Sequence, residues 1–221
     1  MRHRQRAAAA LISTATLAAV LLSGCAGDSW DQPHAAPTAV GELGAGFEPT
    51  SPPSPEATIN PAAGSWDDVH PSAGYRVVLL TAGDDAPTRT LVEAVRTWAD
   101  DEDVDLRTVD ADGDHVAGIV EAMDLKPDLI VSAGNDLVDP LAVVTANHLD
   151  QQFLVVGAEV AEPTHNVTAV DWTGASFRGE GNGASSEYDE TTFTAERCGQ
   201  AIRAGAAAVL HGLTGIVVWI G

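Results

Sequence analysis

The residues able to do chemistry fall at the ends of apolar runs. Asp84 and Asp85 follow the run 75–80, and Asp110, Asp112 and Asp114 follow 105–109. Asn135 and Asp136 follow 127–131, Glu159 follows 152–156, and Trp172 follows 167–171. Carboxylates and an amide so placed accept hydrogen bonds from the hydroxyls of a small solute, and an indole can stack on its ring. Asp and Asn also serve short loops as helix caps and turn formers, so each has a structural role to weigh against a binding one.

Other constellations do not complete a site. Asp110, Asp112 and Asp114, with Glu121 further on, imitate the spacing of a calcium loop, but His115 stands where such a loop needs Gly. His115, His148, His165 and His211 fall singly, without the i, i+4 spacing of a helical metal pair. No Gly-x-Ser-x-Gly elbow, phosphate loop or Cys–His pairing is present. Paired acids such as Asp84 and Asp112 can serve general acid–base work, yet no nucleophile accompanies them. The sequence therefore predicts no catalytic residue, no metal and no cofactor. Cys198, among Ala and Gly, reads as a small buried residue.

The elements that must position these residues alternate. The run 75–80 reads as a buried strand, and 88–99 places Leu91, Val92, Val95 and Trp98 on one helical face. Strand 105–110, helix 115–125, strand 127–131, helix 139–149, and strands 152–156 and 167–171 follow. Continuous apolar strands separated by helices predict an α/β, doubly wound, mostly parallel sheet in the order 2-1-3-4-5. The Gly- and Ser-rich stretch 173–191 reads as a mobile loop, 194–210 as an Ala-rich helix, and 215–220 as a terminal strand.

Ahead of this body, at 74–221, the chain changes character. Arg2, Arg4 and Arg6 precede an uncharged apolar stretch of 16 residues, 7–22, too short to span a bilayer comfortably. Leu22-Ser23-Gly24-Cys25 follows. It resembles a bacterial lipobox, which implies a signal peptide at 1–24 and a lipid on Cys25. Segment 28–72 holds eight of the chain's 12 Pro and shows no period of 2 or 3.6, so 25–73 reads as a lipidated, disordered tether. Eleven bases against 32 acids give a net charge of −21, which excludes a basic face for nucleic acid.

Several segments of the body resemble, in order, the basic membrane lipoprotein (BMP) family. They are Pro127-Asp-Leu-Ile-Val-Ser-Ala-Gly134, Phe153-Leu-Val-Val-Gly157, His165-Asn-Val-Thr-Ala-Val170, the helix 196–210, and Thr214-Gly-Ile-Val-Val-Trp-Ile-Gly221. That family comprises nucleoside-type solute-binding proteins of ABC importers with a periplasmic-binding fold. The family's early Asp-aromatic-Asn motif is missing, and the first loop reads Gly83-Asp-Asp-Ala-Pro-Thr88. Two such lobes need roughly 300 residues, and the body has about 148. The resemblance thus implies a single-lobe or truncated version. It implies a non-catalytic, lipid-anchored, extracytoplasmic protein that binds a small solute. The carboxyl edge of the expected sheet, where doubly wound folds bind ligands, offers Asp84, Asp85, Asp112, Asn135, Asp136, Glu159 and Trp172 for it. Its partners would be the membrane, through Cys25, and an ABC permease or a second copy of the chain. The alternatives are a protein–protein scaffold derived from a binding protein and a surface hydrolase.

Overall fold

Strands that are apolar on both faces need cover on both sides, and this requirement organises the body. A computed structural model describes residues 29–221. A short 3-10 turn, Ser29–Asp31, belongs to an N-terminal unit that ends at Gln32, and a second unit runs from Pro33 to Gly221. The signal peptide and Cys25 lie outside the described residues. Among those described, no helix is long and apolar enough to cross a membrane.

In chain order the second unit contains β1 (Ala39–Val40), β2 (Thr58–Ile59), β3 (His70–Pro71), β4 (Arg76–Thr81), α1 (Ala86–Asp101), β5 (Asp105–Asp110), α2 (His115–Asp124), β6 (Leu129–Ala133), α3 (Val138–Val144), β7 (Phe153–Val156), β8 (Val167–Asp171), α4 (Ala195–Leu210) and β9 (Val217–Trp219). Seven strands form one sheet in the order β2-β9-β8-β7-β6-β4-β5, and each pairing is parallel. The strands from β4 onward follow the expected 2-1-3-4-5 order, and β9 joins β8 as the sixth. The unit is an α/β, doubly wound sheet, as its alternating pattern requires.

Local chemistry starts each helix. Asp85 caps α1 by accepting the Thr88 N–H at 2.9 Å, and Asp114 caps α2 through the Ala117 N–H at 3.0 Å. Leu91, Val95 and Trp98 of α1 and Ala201 and Ile202 of α4 are buried in one core with Val77, Leu79, Val131, Leu154 and Val170. The two helices are pinned by Arg203, whose guanidinium meets Asp101 at 3.0 Å and Glu102 at 2.6 Å. Gly205 lets α4 approach the sheet, because a methyl there would stand 2.5 Å from Leu154. Cys198 is buried in this core and burial pushes its thiol up to about 12, so it is unreactive packing.

The Pro-rich stretch is not a disordered tether from Pro33 onward. Phe47, Ile59 and Trp66 are buried in the same core as α1 and α4, with Phe47 and Trp66 packed edge to face at 6.3 Å. β2 adds to β9 with Thr58 opposite Val217 and Ile59 opposite Val218, and β1 and β3 form an antiparallel ribbon. The reason is that ordering entropy can be offset by a few large side chains and one line of backbone pairing, without any period. β2 also covers the edge of the apolar β9, which would otherwise invite aggregation.

A chain that begins at Gly74 should therefore unfold at lower temperature than one that begins at Pro33, and should scatter light. In the longer chain, Trp66→Ala should cost about 3–5 kcal/mol, the usual loss for a buried Trp, read from chemical denaturation.

Candidate functional site

Ligands of a doubly wound sheet bind outside the carboxyl ends of the strands, where successive crossovers leave in opposite directions. Here that point lies between β4 and β6, since α1 runs from β4 outward to β5 while α3 runs from β6 toward β7. Two glycines with positive φ bring the loops together. Gly134 (φ 121°) sits where a Cβ would stand 2.1 Å from the Ala82 carbonyl oxygen. Gly83 (φ 85°) faces Asp85 Oδ2 and Asp136 Oδ2, which lie 3.5 and 3.7 Å from the place of its absent Cβ.

The structure thus gathers five of the expected residues, Asp84, Asp85, Asp112, Asn135 and Asp136, on three neighbouring loops. Part of their capacity is already used. Asp85 caps α1 and also accepts the Thr88 hydroxyl at 2.8 Å, and Asp112 Oδ1 accepts the Gly83 N–H at 2.6 Å. Asp110 Oδ1 accepts the Asp112 N–H at 2.9 Å, so the calcium-like spacing serves turn formation and a cap. Beside them a cavity of about 250 Å³ opens, lined by His115, Asn135, Asp136, Asp139, Phe177 and Glu180. Its polar groups are mostly acceptors. His115 is fixed by its Nδ1–H, which donates to the Ala111 carbonyl at 2.7 Å.

Trp172 and Glu159 lie elsewhere. Trp172 is fully buried, meets Phe193 edge to face at 4.9 Å, and donates from its indole N–H to the Thr192 hydroxyl at 3.0 Å. A buried ring cannot stack on a solute, so Trp172 is a core residue and the ligand-stacking expectation is corrected. Phe177, half-buried in the cavity wall, is the aromatic on offer. Glu159 stands at the end of a second cavity. Its carboxylate meets the Arg178 guanidinium at 3.0 Å and accepts the Ser185 hydroxyl at 3.0 Å.

The loop 173–191 is not loose. Phe177 bridges Ala158, the Glu159 N–H donates to the Phe177 carbonyl at 2.8 Å, and the Glu180 N–H donates to Asp139 Oδ2 at 3.0 Å. Tyr188 stands close enough to Asp85 to feel its charge. Burial and then that carboxylate push the phenol up. The loop gives Phe177 and Glu180 to the first cavity and Arg178 and Ser185 to the second.

The loop hangs from Asp171, at the end of β8. Its carboxyl has no solvent exposure. Oδ1 accepts the Trp172 N–H at 2.7 Å and the Ser176 N–H at 2.8 Å, while Oδ2 is buried with no N–H donor. Burial pushes this acid up to about 7, against those two backbone donors, and the neighbouring Glu159 adds to the rise. Sequence reasoning passed over Asp171 as the last residue of a strand and Arg178 as part of a loop. The signals were there: an acid closing a mostly apolar strand, and the one Lys or Arg between Lys126 and Arg197.

No family model matches the chain, and no curated protein sequence matches it. Solved structures do. An ABC transporter solute-binding protein from Aeropyrum pernix K1 aligns with 18% identity and a TM-score of 0.40, over 45% of this chain and 29% of that one. A putative lipoprotein fragment from Peptoclostridium difficile 630 aligns with 16% identity and a TM-score of 0.44, over 63% of this chain and 98% of the fragment. An ABC transporter solute-binding protein from Conexibacter woesei DSM 14684 aligns with 17% identity and a TM-score of 0.37, over 45% of this chain and 36% of that one. The chain thus spans well under half the length of these two solute-binding proteins.

Asp171 has a testable pH signature. An acid with a raised folded pKa binds more protons folded than unfolded between about 3.8 and about 7. Its contribution to stability therefore falls as pH rises through that window and levels off above it. Asp171→Asn keeps the acceptor for Trp172 and Ser176 and removes the titration. The variant should be more stable than the natural chain at pH 8 and lose that advantage by pH 4, measured as urea midpoints.

Proposed function

We propose that the chain is a lipid-anchored, extracytoplasmic, non-catalytic protein whose α/β lobe binds a small solute at the crevice between β4 and β6. The observation that carries this reading is the convergence of the Gly83 and Gly134 loops, which sets Asp85 and Asp136 around Gly83 and puts Asp136 in the wall of a cavity of about 250 Å³. That volume suits a solute of about a monosaccharide or nucleobase. The lining of carboxylates and the Asn135 amide accepts hydrogen bonds, and so suits hydroxyl or N–H donors such as those of a nucleoside or sugar. Phe177 supplies the apolar face. The lipobox at Cys25, and the resemblance to the basic membrane lipoprotein family, support attachment to the outer side of a membrane. An ABC-type permease, or a second copy of the chain, is the implied partner. The hydrolase reading, which pairs Asp84 with Asp112, is less favoured, because the Asp112 carboxylate is engaged by the Gly83 N–H.

The test is a thermal-shift screen of the chain against nucleosides and sugars. A ligand at 100 times its dissociation constant should add about 2.7 kcal/mol of stability. Asp136→Ala, at an exposed position, should reduce the shift without lowering the midpoint of the free protein. A cooperatively folding chain that responds to no nucleoside or sugar would overturn solute binding and favour the protein–protein scaffold.

A further inference from the structure

The second cavity on the carboxyl edge has a different chemistry. It measures about 250 Å³ and exists because the connection from β7 to β8 contains no helix. Irregular chain therefore roofs this side of β8 and β9. Val160, Val217 and the half-buried Trp219 make an apolar wall, while Glu159, Arg178 and Glu56 supply charge. Asp171 is the register partner of Trp219, so their side chains leave the same face of the sheet, and the Asp171 carboxyl lies against Glu159 behind the cavity.

The polar groups of this cavity are incompletely paired. Arg178 Nε lies 3.0 Å from a Glu159 carboxylate oxygen, but its N–H is not aligned for a hydrogen bond. Among the described residues no protein group pairs with its two Nη amino groups. Behind Glu159, Asp171 Oδ2 is buried with no N–H donor. Glu56 is exposed on the rim, where its backbone N–H donates to the Gly215 carbonyl at 2.8 Å and fixes its position. A guanidinium with free amino groups presents the fork that matches a carboxylate. Two carboxylates around one guanidinium oppose a plain anion. A plain cation would leave the fork empty.

We propose that this cavity binds a small zwitterion, a free amino acid with an apolar side chain. Its carboxylate sits on the Arg178 Nη groups, its ammonium between Glu56 and Glu159, and its side chain against Trp219 and Val217. This site is separate from the crevice between β4 and β6 and does not rest on that reading.

Calorimetric titration of the full chain with the common amino acids at pH 7 tests the proposal. An apolar amino acid such as leucine or methionine should bind. Its amide, which lacks the carboxylate, and its N-acetyl form, which lacks the ammonium, should each bind at least tenfold more weakly. Arg178→Gln should abolish binding. Glu56→Gln, at an exposed position, should weaken it with an unchanged thermal midpoint, and Asp136→Ala in the crevice should leave it intact. The proposal is overturned if no amino acid binds at millimolar concentration, or if a blocked form binds as well as the free one. Nucleoside binding without amino acid binding would overturn this site while leaving the crevice reading intact.

Discussion

Asp171 carries a carboxyl group that water does not reach, and a group in that position must be neutralised or hydrogen-bonded. The fold does both. Oδ1 draws in two backbone N–H groups, which curls the chain after β8 into a tight turn and buries Trp172 and Ala175. Oδ2 is set against Glu159, and Glu159 in turn holds Arg178 and Ser185. A segment composed like a flexible linker is thereby given a fixed path across the carboxyl edge, and that path divides the edge into two cavities.

A second constraint acts at the other side of the sheet. β9 is apolar, and without β2 its backbone donors and acceptors would face solvent. β2 supplies those partners, and the segment that carries it brings Phe47 and Trp66 into the main core. Edge protection and core completion are thus achieved by one stretch of chain that has almost no regular structure. The same arrangement places Glu56 on the rim of the second cavity, so the N-terminal segment shapes a site as well as stability.

Charge is distributed to match. The chain has 32 acids and 11 bases, and many carboxylates at the carboxyl edge are used on backbone N–H groups. Asp85, Asp112, Asp114 and Asp171 each accept from the main chain. Such contacts shape loops as well as any ligand role would, which is why a row of acids at strand ends does not by itself identify a site. The few bases act at specific places: Arg203 locks α4 to α1, and Arg178 meets Glu159 in the wall of the second cavity.

The sheet was legible in the sequence because its information is local and repeated. Short apolar strands, intervening helices and the capping Asp85 and Asp114 fix the class, and parallel crossover geometry leaves few orders for the strands. The position of Asp84, Asp85, Asp112, Asn135 and Asp136 at one edge follows from the same alternation. What the tertiary structure alone decided is how non-periodic chain packs. Nothing in the pattern around Phe47, Ile59 and Trp66 distinguishes a tether from a packed segment, because the surface they bury belongs to residues far along the chain. The sequence places Trp172 only as a residue after a strand, whereas its burial is set by Gly157, which leaves room for the indole, and by Phe193 beside it. Arg178 became a binding candidate only when β8, its buried acid and Glu159 were brought into one place. Periodicity records which face of an element is covered, whereas a site depends on distances between elements that no local pattern carries.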